Sequence, residues 1–121
     1  GLTPKLFVGS DKILRDFIYI EDIIQANIKA CKPKKSGVYN VGTGNARSFE
    51  DIVNILQKEL EIDNGKEYIP NPYVGSYQFF TEANILTTKK FLDYEPRFSL
   101  EDGIKAYIPE IKRLFAEEVK W

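Results

Sequence analysis

The sequence contains no histidine and only one cysteine, Cys31, among its 121 residues. A Ser-His-Asp triad, a Cys-His pair and a structural zinc site all require residues that are missing, so the sequence predicts no metal site and no catalytic site of these kinds. A single cysteine cannot form an intramolecular disulfide, which favours a reducing compartment. We therefore expect the protein to be cytoplasmic.

Long apolar runs and an excess of one charge are also missing. No stretch approaches the roughly 20 residues that a transmembrane helix needs, and no signal-peptide pattern is present, so no membrane association is predicted. Seventeen basic and eighteen acidic residues give a net charge of −1. Because no overall field then recruits nucleic acid, any anion binding must be local.

The sequence also has no methionine and opens on Gly1, so we expect a fragment or a processed chain. Its length suits one domain, and 43% hydrophobic residues can supply a core. Apolar patterns predict an α/β chain of short strands and about four helices. They begin with a hairpin over residues 5–20, which turns at GSDK, residues 9–12.

The later predicted elements alternate between helices and strands. We expect a helix from about residue 21 to 32 that carries Cys31 on its apolar side, then a strand at VYNVG, residues 38–42. Ser48 and Asp51 have the spacing of a capping box before an amphipathic helix that reaches Leu60, and EYIP, residues 67–70, predicts a strand. Thr81 is expected to cap the next helix. A last helix begins at Ser99 and is kinked or split at Pro109.

Arg15 stands at the start of the run RDFIYIED, residues 15–22. One interpretation is a solvated charge at a strand end, which would contribute little. The other is an anion site, because a guanidinium fork matches phosphate geometry. The neighbouring Asp16 is interpreted as a local hydrogen-bonding group or one that orients Arg15. The GTG sequence at residues 42–44 is a weak phosphate-loop signal and favours a structural turn.

Three stretches carry a resemblance that covers roughly residues 5–115. RDFIYIEDIIQANIKA, GVYNVGTGNARSFEDIVNIL and LDYEPRFSLEDGI resemble, in order and spacing, the carboxy-terminal half of the extended short-chain dehydrogenase/reductase nucleotide-sugar enzymes. KLFVGSDKILRDF and GSYQFFTEANI are most similar to the ADP-L-glycero-D-manno-heptose 6-epimerase family. The resemblance implies a small mixed lobe, residues 1–121, that binds substrate beside a Rossmann-type dinucleotide domain.

The resemblance also implies roles for individual residues. Arg15 matches an arginine near the substrate diphosphate, and Tyr77 matches a substrate-contacting tyrosine, although without the resemblance Tyr77 would be taken for a packing residue. The segment Phe7, Val8, Gly9 and Ser10 matches the lining of the nucleotide end. There Phe7 would lie against adenine, Gly9 would let the backbone approach the ligand, and Ser10 would supply a hydroxyl or amide donor.

The family's catalytic Tyr-Lys pair and glycine-rich dinucleotide loop have no counterpart in the sequence, so no catalytic, cofactor-binding or metal residue is predicted. By resemblance, the parent enzyme binds NADP, forms a homo-oligomer and inverts the sugar at C6″ by transient oxidation. It would supply heptose for the lipopolysaccharide core, and the isolated chain would be inactive. The alternatives are another nucleotide-sugar epimerase, a 4,6-dehydratase, or a stand-alone binding module. The coding sequence before Gly1 would discriminate the last of these.

Overall fold

A computed structural model describes residues 2–118. The described part is a mixed α/β lobe of four short strands, four α-helices and one 3₁₀ turn, as predicted. The elements in chain order are β1 (Lys5–Phe7), the 3₁₀ turn (Ser10–Lys12), β2 (Leu14–Arg15), α1 (Ile20–Lys29), β3 (Arg47–Ser48), α2 (Phe49–Leu60), β4 (Glu67–Ile69), α3 (Leu86–Leu92) and α4 (Leu100–Glu118).

The strands form two separate pairs. β1 lies parallel to β4, with Leu6 opposite Tyr68, and α2 belongs to the crossover between them. β2 lies antiparallel to β3, with Arg15 opposite Arg47. The predicted hairpin over residues 5–20 is therefore wrong. Gly9, at φ 84°, leads into the 3₁₀ turn, which directs β2 away from β1 and toward a different partner.

The helix α2 begins as its sequence predicts. The hydroxyl of Ser48 accepts a hydrogen bond from the Asp51 amide at 3.0 Å, and the Asp51 carboxylate accepts one from the Ser48 amide at 3.3 Å. This reciprocal capping box satisfies amides that the first helical turn would otherwise leave unpaired. Because the box fixes the first turn, it also fixes the direction in which the side chains of Phe49 and Glu50 leave the helix.

The helix α1 buries polar side chains and exposes apolar ones. Asp22 is fully buried and accepts hydrogen bonds from the amides of Arg97 at 2.9 Å and Phe98 at 3.1 Å. On the other face, Ile24 and Ile28 are 48% and 67% exposed. The buried face of α1 therefore orders the loop before α4, and its apolar stripe has no cover within residues 2–118.

Several sequence predictions near α1 and α3 are wrong. Cys31 is exposed beyond the end of α1 rather than packed on its apolar side. Residues 38–42 form no strand, since no described strand lies beside them to pair their backbone groups, and Val38 is 99% exposed. Thr81 does not cap a helix. The helix α3 starts at Leu86, whose amide donates to the Asn84 side chain at 3.2 Å.

The helix α4 runs without a break from Leu100 to Glu118 and contains Pro109, so the predicted splitting of this helix is wrong. Proline removes only one helical donor, and Ile108 beside it is buried in the core. Asp102 donates its amide to Ser99 at 3.1 Å, as the predicted start of the helix requires.

The buried interior is small. One cluster joins α1 to the segment around α3, and it consists of Ala26, Ile85, Leu92 and Tyr94, flanked by Tyr39 and Ala83. A cavity of about 610 Å³, here called the apolar groove, lies between residues 17–20 and α4. None of the helices within residues 2–118 has the length and apolar character that a bilayer crossing requires.

Candidate functional site

The fold brings most of the predicted ligand residues to one place. Phe7 and Ser10, from one segment of the chain, and Tyr77, from a distant one, line a cavity of about 190 Å³. Its other lining residues are Lys5, Leu6, Ile13 and Phe49. We call this cavity the aromatic pocket. It shares no lining residue with the larger apolar groove.

Three of the predicted residues, Val8, Gly9 and Arg15, do not line the aromatic pocket. Val8 is 64% exposed beside it, and its amide donates to the Ile69 carbonyl at 2.9 Å. Gly9 has a left-handed φ of 84°, a conformation that glycine adopts without steric cost. Gly9 thus forms the turn that places Ser10, and its predicted close approach to the ligand stays a prediction.

Arg15 lies beside the aromatic pocket and contacts two of its rings. Its guanidinium carbon is 5.4 Å from the ring centre of Tyr77 and 5.9 Å from that of Phe49. The guanidinium donates to the carbonyl of Leu14 at 3.0 Å and to the carbonyl of Gln78. These bonds use two of its five N–H donors. Since no described carboxylate lies within ion-pair distance, three donors and the positive charge remain for an anion.

Aromatic side chains form the wall next to Arg15. The rings of Phe7 and Tyr77 meet edge to face with centres 5.7 Å apart, and Tyr77 meets Phe79 in the same way at 6.4 Å. Such rings offer both a flat apolar surface and a face that attracts cations. The arrangement can therefore hold a planar apolar group next to an anionic one.

Glu50 contacts a residue of the aromatic pocket and was not predicted from the sequence. Its carboxylate accepts hydrogen bonds from the Ser10 hydroxyl at 3.0 Å and the Tyr68 hydroxyl at 2.5 Å, and Lys66 lies 3.3 Å away. The hydrogen bond from Tyr68, with those from Ser10 and Lys66, lowers the pKa of Glu50 despite partial burial. The sequence does show that Glu50 lies in the capped first turn of a helix. Acidic residues at such positions usually stabilise the helix through its dipole, so this position alone does not indicate a binding site.

Asp16 organises the loops behind Arg15. Its carboxylate accepts hydrogen bonds from the amides of Thr43 and Gly44 at 2.9 Å and Ala83 at 3.1 Å, and from the Thr43 hydroxyl. Burial raises the pKa of Asp16, but these hydrogen bonds together outweigh it and the pKa is lowered. Of the two predicted roles, local hydrogen bonding is confirmed. Orientation of Arg15 is wrong, because no hydrogen bond joins the two side chains.

The GTG loop is closed by its neighbours. Tyr94, almost fully buried, donates its hydroxyl to the Gly42 carbonyl at 2.6 Å. Burial, and then the charges of nearby carboxylates, raise the pKa of Tyr94 to about 12. The amides of Thr43 and Gly44 are occupied by Asp16, so a dinucleotide phosphate on them would meet its carboxylate. These two amides are therefore not free for a phosphate, in agreement with the interpretation of the loop as a structural turn.

Within residues 2–118, no group of three His, Cys, Asp or Glu side chains could hold a metal ion. Asn84, left unassigned from the sequence, lines a separate cavity of about 440 Å³ together with Asp16. The aromatic pocket offers aromatic surface, the side chain of Lys5 and the buried hydroxyl of Ser10, and the free donors of Arg15 lie beside it.

No family model matches the chain. It is 37% identical, over 93% of its length, to the ADP-L-glycero-D-manno-heptose-6-epimerase of Brachyspira hyodysenteriae. It is 49% identical, over 91% of its length and with a TM-score of 0.80, to the crystal structure of the Helicobacter pylori ADP-L-glycero-D-manno-heptose-6-epimerase. The chain corresponds to the carboxy-terminal lobe of the extended short-chain dehydrogenase/reductase nucleotide-sugar epimerases. The resemblance expected from the sequence is confirmed.

The lobe spans about a third of these relatives, 36% of the first and 33% of the second. The lobe is also similar to the Bacillus cereus UDP-glucuronic acid 4-epimerase in complex with UDP-glucuronic acid and NAD. There the identity is 32% and the TM-score is 0.78, over 92% of this chain and 36% of that one. A UDP-glucose 4-epimerase of Thermotoga maritima, 24% identical with a TM-score of 0.83, shares the fold over 93% of this chain and 36% of that one.

Proposed function

We propose that the chain is the nucleotide-sugar-binding lobe of an ADP-L-glycero-D-manno-heptose 6-epimerase that supplies heptose precursors for the lipopolysaccharide core. The observation that carries the proposal is the convergence of Phe7, Ser10, Arg15 and Tyr77 at one aromatic pocket. The similarity to two proteins named for this reaction supports it.

In this proposal, each group of the pocket binds a different part of the ligand. The rings of Phe7 and Tyr77 offer the flat surface on which a nucleobase packs, and Arg15 beside Tyr77 faces the diphosphate. Two adjacent phosphates form a compact anion for the free guanidinium donors. Gly9 allows close backbone approach, while Val8 borders the ligand through its backbone.

The lobe alone does not complete an epimerase. We propose that the parent protein binds NADP through residues outside this chain, and that it is a cytoplasmic homo-oligomer. The 121-residue chain by itself should therefore show no turnover when it is incubated with ADP-heptose and NADP. Cofactor-dependent turnover by a pure sample would contradict the proposal.

The experiment that tests the site is calorimetric titration of the full-length protein with ADP-glucose, and separately with NADP. Arg15→Lys keeps the charge but loses the fork. We expect a roughly ten- to hundredfold rise in the ADP-glucose dissociation constant, because one charge-assisted hydrogen bond contributes about 1.5–3 kcal/mol. Arg15→Ala should cost at least as much, and NADP affinity should stay nearly unchanged.

The control variant is Lys34→Ala. Lys34 also carries an exposed positive charge, but it pairs with Asp93 at 2.8 Å outside the aromatic pocket, so its loss should change little. If Arg15→Ala leaves ADP-glucose binding intact, or weakens ADP-glucose and NADP equally through loss of folding, Arg15 is only a strand-end charge.

A second candidate, an epimerase acting on a UDP-sugar, is favoured by the 32% identity to the Bacillus cereus protein. Titration with UDP-glucose beside ADP-glucose separates the two candidates. The heptose-epimerase proposal expects tighter binding of the adenine nucleotide, whereas a preference for UDP-glucose would favour the second candidate.

A further inference from the structure

The first turn of α2 contacts Ser10, which lines the aromatic pocket, and Arg15, which lies beside it. Phe49, its first residue, lines the pocket and lies 5.9 Å from the guanidinium carbon of Arg15. Glu50, the next residue, accepts the hydroxyl proton of Ser10 at 3.0 Å. Two neighbouring residues of one helix thus reach the two groups that the proposed function assigns to the ligand.

The position of this turn is fixed by the strand that carries Arg15. Ser48 caps α2, and it also lies opposite Leu14 in the β2–β3 pair, next to the pairing of Arg15 with Arg47. The backbone that begins α2 is therefore bonded to the backbone that presents Arg15. Any shift of the helix start would move the ring of Phe49 relative to the guanidinium.

The contact with Phe49 restricts where the guanidinium of Arg15 can lie. Tyr77 and Phe49 both attract it through their rings, while the carbonyls of Leu14 and Gln78 hold two of its N–H groups. A long arginine side chain otherwise loses considerable rotamer entropy when it binds a ligand. Holding the fork in place before binding removes part of that cost.

The hydrogen bond to Glu50 decides whether the Ser10 hydroxyl can act as a donor or an acceptor toward the pocket. Glu50 is an ionised acceptor that is also bonded to Tyr68, so the proton of Ser10 points to Glu50. The oxygen of Ser10 then keeps its lone pairs for the pocket. It can accept a hydrogen bond from a ligand N–H or O–H group, but it cannot donate one to a phosphate.

We propose that Phe49 and Glu50 are positioning residues of the nucleotide site: Phe49 holds the fork of Arg15, and Glu50 turns Ser10 into an acceptor. This inference rests on the proposed function, because it acts through the two groups assigned to the ligand. The positioning effect of each residue acts through its partner, so that part of the affinity change should be lost when the partner is removed. Phe49 also lines the pocket, so any direct contact that it makes with the ligand is independent of Arg15.

The test is a double-mutant cycle in the full-length protein with ADP-glucose as the probe. Phe49→Leu should raise the dissociation constant roughly two- to fivefold, the range of an exposed cation–π contact. In the Arg15→Ala background the same change should have a clearly smaller effect, because the contact between Phe49 and the guanidinium is already lost. Phe91→Leu is the matched control. Its ring packs on Tyr39 at 6.4 Å and does not line the aromatic pocket, so its truncation should leave affinity unchanged.

The second cycle joins Glu50→Gln with Ser10→Ala. Glu50→Gln lets the Ser10 proton turn away, and we expect a roughly two- to tenfold loss of ADP-glucose affinity that disappears in the Ser10→Ala background. The matched control is Glu110→Gln, which removes an acid that pairs with Arg113 on the surface of α4 and should leave affinity unchanged.

The outcomes separate the two proposals. If Arg15→Ala does not weaken ADP-glucose binding, the proposed function fails first. If Arg15→Ala weakens binding but Phe49→Leu and Glu50→Gln do not, only the positioning roles are overturned. The positioning roles are also overturned if Phe49→Leu or Glu50→Gln weakens binding by the same factor whether or not its partner residue is present. A purely structural effect would not depend on the partner.

Discussion

Replacing Asp16 should destabilise the lobe, because one carboxylate joins three segments of the chain. Asp16→Ala leaves the amides of Thr43, Gly44 and Ala83 without their acceptor. One hydrogen bond to a charged group contributes about 1.5–3 kcal/mol, but the contributions do not add, since an exposed amide such as that of Gly44 regains water. We expect a loss of about 2–4 kcal/mol, a large fraction of a typical domain's stability.

Two measurements on the 121-residue chain test this prediction. Urea unfolding followed by circular dichroism gives the loss of stability, and amide hydrogen exchange should show faster exchange at Thr43, Gly44 and Ala83. Asp16→Asn keeps one acceptor oxygen and should cost less than the alanine variant. The matched control is Asp93→Asn, which alters an exposed carboxylate paired with Lys34 and should change little.

The pH dependence gives an independent check. The pKa of Asp16 in the folded state lies below its ordinary value of 3.8. The stability that it contributes is therefore present above that value and is lost as the pH falls through the lower folded-state pKa. Part of the loss of stability as the pH falls below the ordinary pKa of 3.8 should disappear in Asp16→Asn. An alanine variant as stable as the wild type, with unchanged amide exchange, would refute the reasoning.

Three further predictions concern packing. A Cβ at Gly42 would lie 2.5 Å from the Asp16 carboxylate and 2.6 Å from the Ala83 Cβ. Gly42→Ala should therefore lower the free energy of unfolding in urea by about 1–3 kcal/mol. The control Gly75→Ala adds a Cβ in open space and should leave that free energy unchanged. Tyr94→Phe removes the donor to the Gly42 carbonyl and should cost about 1 kcal/mol in the same assay. The isolated chain should self-associate through its apolar groove in sedimentation velocity, and a strict monomer at high concentration would contradict this.

Helices whose capping residues and apolar periodicity are both present in the sequence were predictable. The capping box at Ser48 and the apolar stripe after it specify α2, and Ser99 specifies the start of α4. Elements that depend on a partner were not predictable. The predicted hairpin at residues 5–20 does not form, because each of its strands pairs with a strand that is distant in the sequence. Asp22 of α1 is buried because its carboxylate accepts hydrogen bonds from the distant amides of Arg97 and Phe98.

The candidate site was also predictable only in part. The sequence by itself indicated Phe7, Ser10, Arg15 and Tyr77, because family motifs keep their spacing along the chain. Only the tertiary structure showed that they meet at one pocket and that Glu50 holds Ser10. A motif records which residue types recur, but a hydrogen bond across 40 positions depends on how the strands and helices between them pack.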